Sequence, residues 1–338
     1  MKRISVCILL FLLLFTGCQA QPVKTPEKQT LSLFAMDTFM EMQVFGDETL
    51  LAGAAEMIRD LDARLSVTAE ESEIHALNAQ GHAVVSEDTA ALVQSALALC
   101  ARTDGALDIS IYPVVRAWGF TTEEHTVPDE ASLRALCAHV DYTRISLSGQ
   151  EIRLDDGMEI DLGSVAKGYT SASVLDFFRE NGAQSALLNL GGNVHALGAK
   201  PDGTPWRVAV QDPLGEGLLC ALEIENKAVI TSGGYERYFV EDGVTYWHIL
   251  DPKTGAPAHS GLVSVTIVGE NGLVCDGLST ALFVMGLEDA AALWRESGDF
   301  EAIFVTEDKQ VYITEGIADI CTLLGDYAQT SVQVIRRG

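Results

Sequence analysis

An apolar stretch near the C-terminus, "VCDGLSTALFVMG" (274–286), contains one carboxylate and two hydroxyl groups. If this stretch is helical, Asp276 and Thr280 are four residues apart and lie on one face of the helix. Burying a carboxylate costs several kcal/mol unless another group offsets that cost. A partner for Asp276 therefore has to be sought in the rest of the molecule.

A second group of polar residues lies in "DLGSVAKGY" (161–169). An Asp and a Gly precede a predicted helix start, and Lys167 falls in the first turns of that helix. A helix N-terminus offers free backbone N–H groups and a positive dipole end, which suit phosphate, and Lys167 would add a positive charge. A capped helix with a solvent-exposed lysine explains the same pattern, so this stretch alone leaves both interpretations open.

Three more stretches carry glycines or polar residues beyond what a core needs. Consecutive glycines in "NLGGNVHALG" (189–198) and "TSGGYERYF" (231–239) would let backbone approach a ligand closely, and tight turns explain them equally well. Arg237 is either a phosphate ligand or a surface charge. In "YWHILDPKTGAP" (246–257), His248 precedes the predicted turn "DPKTG". A lone histidine on a strand is more often structural than catalytic.

Several function classes are disfavoured by missing motifs and by charge. The chain has no Walker loop, no Rossmann glycine motif, no H-E-x-x-H and no G-x-S-x-G. The formal net charge is −26, whereas binding to nucleic acid requires clustered Lys and Arg. The same charge disfavours electrostatic adhesion to an anionic membrane. An anionic small ligand would need a local cation.

Taken in order along the chain, these stretches resemble the ApbE family of flavin transferases. The resemblance covers residues 33–315, and it implies an ApbE-like fold related to the T-fold. Eight matching segments in order are far more specific than any one of them. They are "MDTFM" (36–40), "LSVTAEESEIHALN" (65–78), "DISIYPVVRAWGF" (108–120), "DLGSVAKGY", "NLGGN", "TSGGYERYF", "HILDPKTGAP" and "CDGLSTALFVMG".

The resemblance implies an activity. Members of the family bind FAD and a divalent metal, usually magnesium, with manganese as the alternative. They transfer the FMN half of FAD to a Thr or Ser hydroxyl of an exported partner protein and release AMP. The partners resemble subunits of ion-pumping redox complexes of the RNF and NQR type. A metal-dependent FAD pyrophosphatase and a non-catalytic FAD-binding lipoprotein are the two alternatives.

The resemblance also implies the site residues. Asp276 and Thr280 would bind the metal with Ser279 beside them and a carbonyl oxygen from Ser164. His248 and Asp276 are the candidates for the catalytic base, and His248 is favoured because a metal-bound carboxylate is a weak base. The residues expected to contact FAD are Met36, Thr68, Trp118, Gly119, Phe120, Asp161, Lys167 and Leu250.

Two positions depart from the family pattern. Thr68 stands where other members have Tyr or Asn, at a position expected to influence whether FAD is held, used for transfer or hydrolysed. Gly234 replaces an Asp that is common at that place. The amount of FAD hydrolysis and the role of position 234 therefore stay open at this point.

The elements that must position these residues follow from hydrophobic periodicity. The pattern predicts one large α+β domain, in which antiparallel sheets are flanked by helices. "ERYFVEDGVTYWHIL" (236–250) alternates about Asp242-Gly243 and predicts a β-hairpin. Helices are predicted at 48–66, 86–103, 128–140, 164–182, 274–286 and 288–297. The second of these would begin with Ser86 as its N-cap.

The N-terminus has the pattern of an export signal. Residues 1–17 combine a basic start with an apolar run too short to be a confident membrane span. "FTGC" resembles a lipobox, so Cys18 would carry a lipid and hold the protein at the extracytoplasmic face of the membrane. Residues 18–30 predict a flexible tether, and the range 31–338 would be the folded domain. Five other cysteines are scattered singly in apolar surroundings, which indicates neither a zinc site nor a disulfide framework.

Overall fold

A computed structural model describes residues 26–122 and 124–338. The predicted signal peptide and Cys18 lie outside the described residues. Within those ranges the strands, in chain order, are β1 Lys28–Ala35, β2 Thr38–Phe45, β3 His82–Val84, β4 Ser146–Ser148, β5 Glu151–Arg153, β6 Ala186–Leu190, β7 Asn193–Leu197, β8 Trp206–Gln211, β9 Leu218–Ile224, β10 Ala228–Gly233, β11 Tyr238–Glu241, β12 Val244–Trp247, β13 Leu262–Gly269, β14 Phe300–Thr306, β15 Val311–Thr314, β16 Cys321–Leu323 and β17 Gln333–Ile335.

The helices pack against these strands and show ordinary capping chemistry. Ser86 caps the helix that follows it by accepting a hydrogen bond from the backbone N–H of Thr89, as predicted. Asn271 caps another helix by accepting from Val274. The helices are α1 Thr49–Leu65, α2 Glu73–Gln80, α3 Glu87–Arg102, α4 Tyr112–Trp118, α5 Glu130–Cys137, α6 Gly163–Glu180, α7 Gly272–Met285 and α8 Leu287–Glu296.

A nine-stranded sheet with the order β1-β2-β6-β7-β10-β13-β14-β15-β17 organises the described chain. Its neighbouring strands are antiparallel except for the β15–β17 pair. Helices α1 and α6 cover one end of one face, α7 and α8 cover its central strands, and α3 packs against α6 and α7. A small sheet of β16, β9 and β8 packs on the opposite face of the central strands. The α+β prediction is confirmed.

Helices α6 and α7 approach each other at two glycines. A Cβ atom on Gly168 would lie 2.2 Å from the carbonyl oxygen of Gly272, and one on Gly272 would lie 2.6 Å from the carbonyl oxygen of Gly168. Only glycine permits backbones this close. The crossing brings the first turns of α6, with Lys167, against the α7 turn that carries Asp276.

The long helices and the β11–β12 hairpin agree with the sequence prediction, whereas the N-terminal strands were not predicted. The hairpin at Asp242-Gly243 forms, and both turn residues have positive φ angles of 51° and 79°, which a type I′ turn requires. Strands β1 and β2, helices α2 and α4 and the sheet β3-β5-β4 were not predicted. Strand β1 begins at Lys28, inside the range 18–30 predicted as a tether. None of the helices in the described ranges combines the length and apolar character needed to span a bilayer.

Candidate active site

A cavity of about 670 Å³ lies where the ends of several elements meet. Its wall combines the β1–β2 turn, the start of α6, the β6–β7 turn, the end of β10, the segment after β12 and one face of α7. Its volume falls in the range of small-molecule sites. Nine of the predicted site residues line it: Met36, Phe120, Asp161, Ser164, Lys167, His248, Leu250, Asp276 and Thr280.

Asp276 is buried at the α6–α7 crossing. Its Oδ2 accepts a hydrogen bond of 2.8 Å from the backbone N–H of Gly168. Burial raises the pKa of this carboxyl, while the charge of Lys167, the Gly168 hydrogen bond and the neighbouring Asn193 amide oppose that shift. Among the described residues, no Lys, Arg or His nitrogen lies within ion-pair distance of it. The carboxylate is therefore only partly compensated by the protein.

Three hydroxyl groups form a cluster beside this carboxylate. Ser232 Oγ, at the end of β10, lies 2.8 Å from Ser279 Oγ and 3.3 Å from Thr280 Oγ1. Ser279 also donates to the carbonyl oxygen of Asp276 at 2.7 Å. Ser232 and Thr280 line the cavity, whereas Ser279 is fully buried behind them. Ser232 was not predicted as a site residue, although its stretch "TSGGYERYF" was noted.

The β6–β7 turn contributes a buried amide. Asn193 lines the cavity and is only 3% exposed, yet its Nδ2 has no hydrogen-bond partner of ordinary geometry among the described residues. The β6–β7 turn lies so close to β2 that a Cβ atom on Gly191 would be 2.2 Å from Thr38 Oγ1. Leaving a buried donor unpaired costs about 1–3 kcal/mol. The amide nevertheless lies close enough to Asp276 to lower the pKa of that carboxyl, so Asp276 is the nearest group that Asn193 favours in its charged form.

His248 lies half-buried in the cavity wall. Its Nδ1 is 3.2 Å from the carbonyl oxygen of Arg237, so Nδ1 carries the proton and Nε2 is the basic nitrogen. Burial lowers the pKa of His248 to about 4, and the positive charges of Arg237 and Lys167 act in the same direction. The imidazole is therefore neutral at pH 7 with Nε2 unprotonated, and its lowered pKa makes it a weaker base than a free imidazole.

Two cations, Lys167 and Arg237, and four further carboxylates, of Asp37, Asp108, Asp161 and Glu236, complete the polar wall. No ion pair involving Lys167 or Arg237 forms within the described ranges, although Arg237 Nη2 donates to the carbonyl oxygen of Phe120 at 3.1 Å. Asp161 accepts from the backbone N–H of Gly163, and burial raises its pKa. Glu236 is accessible from the cavity, but desolvation there raises its pKa to about 7. Glu236 was not predicted as a site residue.

Three predicted FAD contacts do not line the cavity. Trp118 is buried behind Phe120, and its Nε1 donates to the carbonyl oxygen of Gly255 at 2.7 Å. Gly119 ends α4 with a φ angle of 77°, and a Cβ there would lie 2.0 Å from a backbone oxygen. Both residues shape the wall from behind. Thr68 lies in the turn after α1, with its hydroxyl 3.2 Å from Ser66 Oγ.

Packing explains why position 234 carries Gly in place of the Asp that is common in the family. A Cβ atom at this position would lie 3.0 Å from two carbon atoms of the Trp247 ring, which is closer than ordinary van der Waals contact. The ring occupies the space into which a side chain at position 234 would extend. An Asp here would therefore require Trp247 to move.

The predicted metal ligands do not form a cluster of several acidic or histidine side chains. In the part of the chain that the structure describes, no three His, Cys, Asp or Glu side chains converge into a metal-binding group. The predicted set has one carboxylate, Asp276, with the Thr280 hydroxyl and a carbonyl oxygen of Ser164. Such a set of oxygens suits magnesium, which keeps few protein ligands and several waters or phosphate oxygens.

A cavity lined by five carboxylates, two cations and a neutral histidine has the polar composition of an enzyme site. The ApbE family model matches residues 36–304, and the chain belongs to the ApbE family. It is an enzyme of the transferase class, because its curated relatives are transferases.

The relatives and solved structures are similar over most of their length. A FAD:protein FMN transferase of Klebsiella pneumoniae is 36% identical over 284 residues, covering 79% of this chain and 85% of that protein. The same-named protein of Treponema pallidum is 34% identical, covering 78% of each. The crystal structure of an ApbE protein from Thermotoga maritima matches with a TM-score of 0.83 at 31% identity, over 87% of this chain and 99% of that one. The apo flavinyl transferase ApbE of Pseudomonas stutzeri matches with a TM-score of 0.79 at 29% identity, over 89% and 98%.

Proposed function

We propose that this protein is a metal-dependent FAD:protein FMN transferase. It would transfer FMN from FAD to a Thr or Ser hydroxyl of an exported partner protein and release AMP. The observation that carries the proposal is one cavity lined by Lys167 and Arg237, both without ion-pair partners in the described chain, and by the buried Asp276, on which the charge of Lys167 acts. The names of the relatives support the same activity.

A divalent ion would be held by Asp276, Thr280 and the Ser164 carbonyl oxygen, with Ser279 and Ser232 orienting the hydroxyl. The residues fit such an ion because the carboxylate is buried with no cationic partner in the described residues, and because hydroxyl oxygens cluster beside it. Magnesium matches this oxygen set, with manganese as the alternative. When bound, the ion supplies positive charge that stabilises the leaving phosphate oxygens.

The protein's own side chains would bind the substrate and move one proton. Lys167 would bind the pyrophosphate through its compact ammonium charge. Arg237 would bind it through the N–H donors of its planar guanidinium group. The acceptor hydroxyl would attack the phosphorus on the FMN side, forming a phosphoester bond. The bond from that phosphorus to the bridging oxygen would break, and AMP would leave with this oxygen. His248 Nε2 would take the hydroxyl proton, because the imidazole is neutral at pH 7.

The predicted location completes the proposal. A protein exported by residues 1–17 and lipid-anchored at Cys18 would meet its acceptor at the extracytoplasmic face of the membrane. An exported acceptor of the RNF or NQR type would be reached there.

The test uses the full-length protein in detergent with FAD and magnesium. The acceptor is the extracytoplasmic domain of an RNF-type subunit, compared with its acceptor Thr→Ala form. A flavin-fluorescent acceptor band on a denaturing gel, with equimolar AMP, is the expected result. AMP without labelled acceptor would instead point to FAD pyrophosphatase activity or to the wrong acceptor, and bound FAD without AMP would favour a flavin carrier.

A further inference from the structure

Exposed apolar side chains concentrate on two hairpins beside the cavity. These mouth hairpins are β1–β2 and β11–β12. Among the described residues, eight large hydrophobic side chains are strongly exposed, and five of them lie on the mouth hairpins: Phe34 at 61%, Phe39 at 80%, Tyr238 at 53%, Val240 at 59% and Val244 at 50%. Val244 lies on the opposite face of its hairpin from Tyr238 and Val240, so the candidate interaction surface comprises the other four side chains.

Both mouth hairpins are continuous with the cavity wall. The turn of the first, Met36 to Thr38, lines the cavity. The second is flanked by Arg237 and His248, which also line it. A polypeptide that places a hydroxyl beside His248 would therefore lie next to residues that continue into both hairpins.

The aromatic pair on the first hairpin has no cover in the described structure. Phe34 and Phe39 are direct cross-strand neighbours, with ring centroids 5.2 Å apart and an interplanar angle of 74°. They lie on the sheet face opposite to the buried Leu33 and Met40. The small sheet that covers this face packs against the central strands farther along. Aromatic side chains are enriched in protein interfaces.

Strand β1 also leaves backbone groups available. It is the first strand in the order of the nine-stranded sheet, so within the described chain no strand pairs with its outer edge. Open sheet edges bind extended segments by strand addition. Phe34 and this edge thus offer side-chain and backbone contacts to the same extended segment.

We propose that the acceptor protein docks on the two mouth hairpins. Its segment around the acceptor Thr or Ser places apolar side chains against Phe34 and Phe39 on one side and against Tyr238 and Val240 on the other. The acceptor hydroxyl then enters the cavity between them. The inference rests on the proposed function. A second copy of this chain is the less suitable occupant, because it would cover the mouth through which the acceptor has to reach.

The experiment compares two double variants, Phe34→Ser with Phe39→Ser, and Tyr238→Ser with Val240→Ser. Val84→Ser is the matched control, since Val84 is 77% exposed on β3, away from both hairpins. FMN transfer to the RNF-type domain is measured with the full-length proteins, together with FAD affinity, melting temperature and oligomeric state. Each double variant should lose about tenfold or more in kcat/KM for the acceptor, mainly through KM. FAD affinity should be unchanged, and the control should match the parent protein.

Other outcomes separate the two proposals. If the parent protein labels the acceptor and both double variants do so with the same KM, the docking proposal is overturned while the transferase proposal stands. If the hairpin substitutions convert a dimer into a monomer and leave acceptor KM unchanged, the surface is a self-association interface. If the parent protein fails to label any acceptor, the transferase proposal falls and the docking proposal with it.

Discussion

The α6–α7 crossing and the mouth hairpins border the same cavity, but they are built in opposite ways. At the crossing, backbone meets backbone at Gly168 and Gly272, and Asp276 is held by a backbone donor. At the mouth, Phe34 and Phe39 are mostly exposed. Close packing fixes charged groups to within tenths of an ångström, which chemistry requires. Exposed apolar surface instead gains energy only when a partner covers it.

The largest effect is expected at Asp276. Asp276→Ala should lower the transfer rate by about 10³-fold and abolish the magnesium-induced rise in melting temperature, because the only carboxylate of the proposed metal site is gone. Single-turnover AMP release and thermal shifts with and without magnesium measure the two effects. Ser279→Ala is the matched comparison, since this hydroxyl lies behind the cavity wall. Full activity of the Asp276→Ala protein would contradict the metal assignment.

A smaller effect, on both stability and transfer rate, is expected when a methyl group is added at the α6–α7 crossing. Gly168→Ala should lower the free energy of unfolding by about 1–3 kcal/mol, because its Cβ would overlap the Gly272 carbonyl. It should also reduce transfer, because the donor to Asp276 moves. Gly298→Ala is the control, as no atom lies within 4 Å of its Cβ position. Chemical denaturation and transfer rates would test both, and equal stability of the two variants would show that the crossing tolerates expansion.

A pH effect on FAD affinity is expected from Glu236. Its carboxyl, with a raised pKa of about 7, is neutral below that pH and anionic above it. FAD affinity should therefore fall as the pH rises through about 7, because the new negative charge repels the pyrophosphate. Glu236→Gln should remove this dependence. Flavin fluorescence titrations from pH 6 to 8 without added metal would measure it, and an unchanged profile in the variant would exclude Glu236 as the cause.

The smallest effect is expected at position 234. Gly234→Asp should lower the free energy of unfolding by about 1 kcal/mol, because the Trp247 ring must shift to admit a Cβ. The same change made together with Trp247→Ala should cost less than the sum of the two single changes. Denaturation midpoints of the three variants test the coupling. Strict additivity would show that Trp247 does not explain the glycine.

Sequence periodicity predicted those features that depend on local spacing. Ser86 caps its helix because a hydroxyl at that place meets a free N–H three residues later, and Asp242-Gly243 forms its turn because both residues tolerate positive φ. The common face of Asp276 and Thr280 also follows from helical geometry. Membership of the ApbE family was inferred from the order of eight motifs and is confirmed by the family match.

Only the tertiary structure determined how deeply each side chain is buried and whether it faces the core, the cavity or solvent. Ser279 and Thr280 are adjacent in sequence, yet one is buried behind the wall and the other lines the cavity, because β10 covers one side of α7. Trp118 and Thr68 belong to matching motifs but lie outside the wall. Asn193 and Glu236 became candidates only when folding enclosed them. Spacing along a chain determines which side of an element a residue occupies, and the packing of distant elements determines whether that side meets a core, a cavity or solvent.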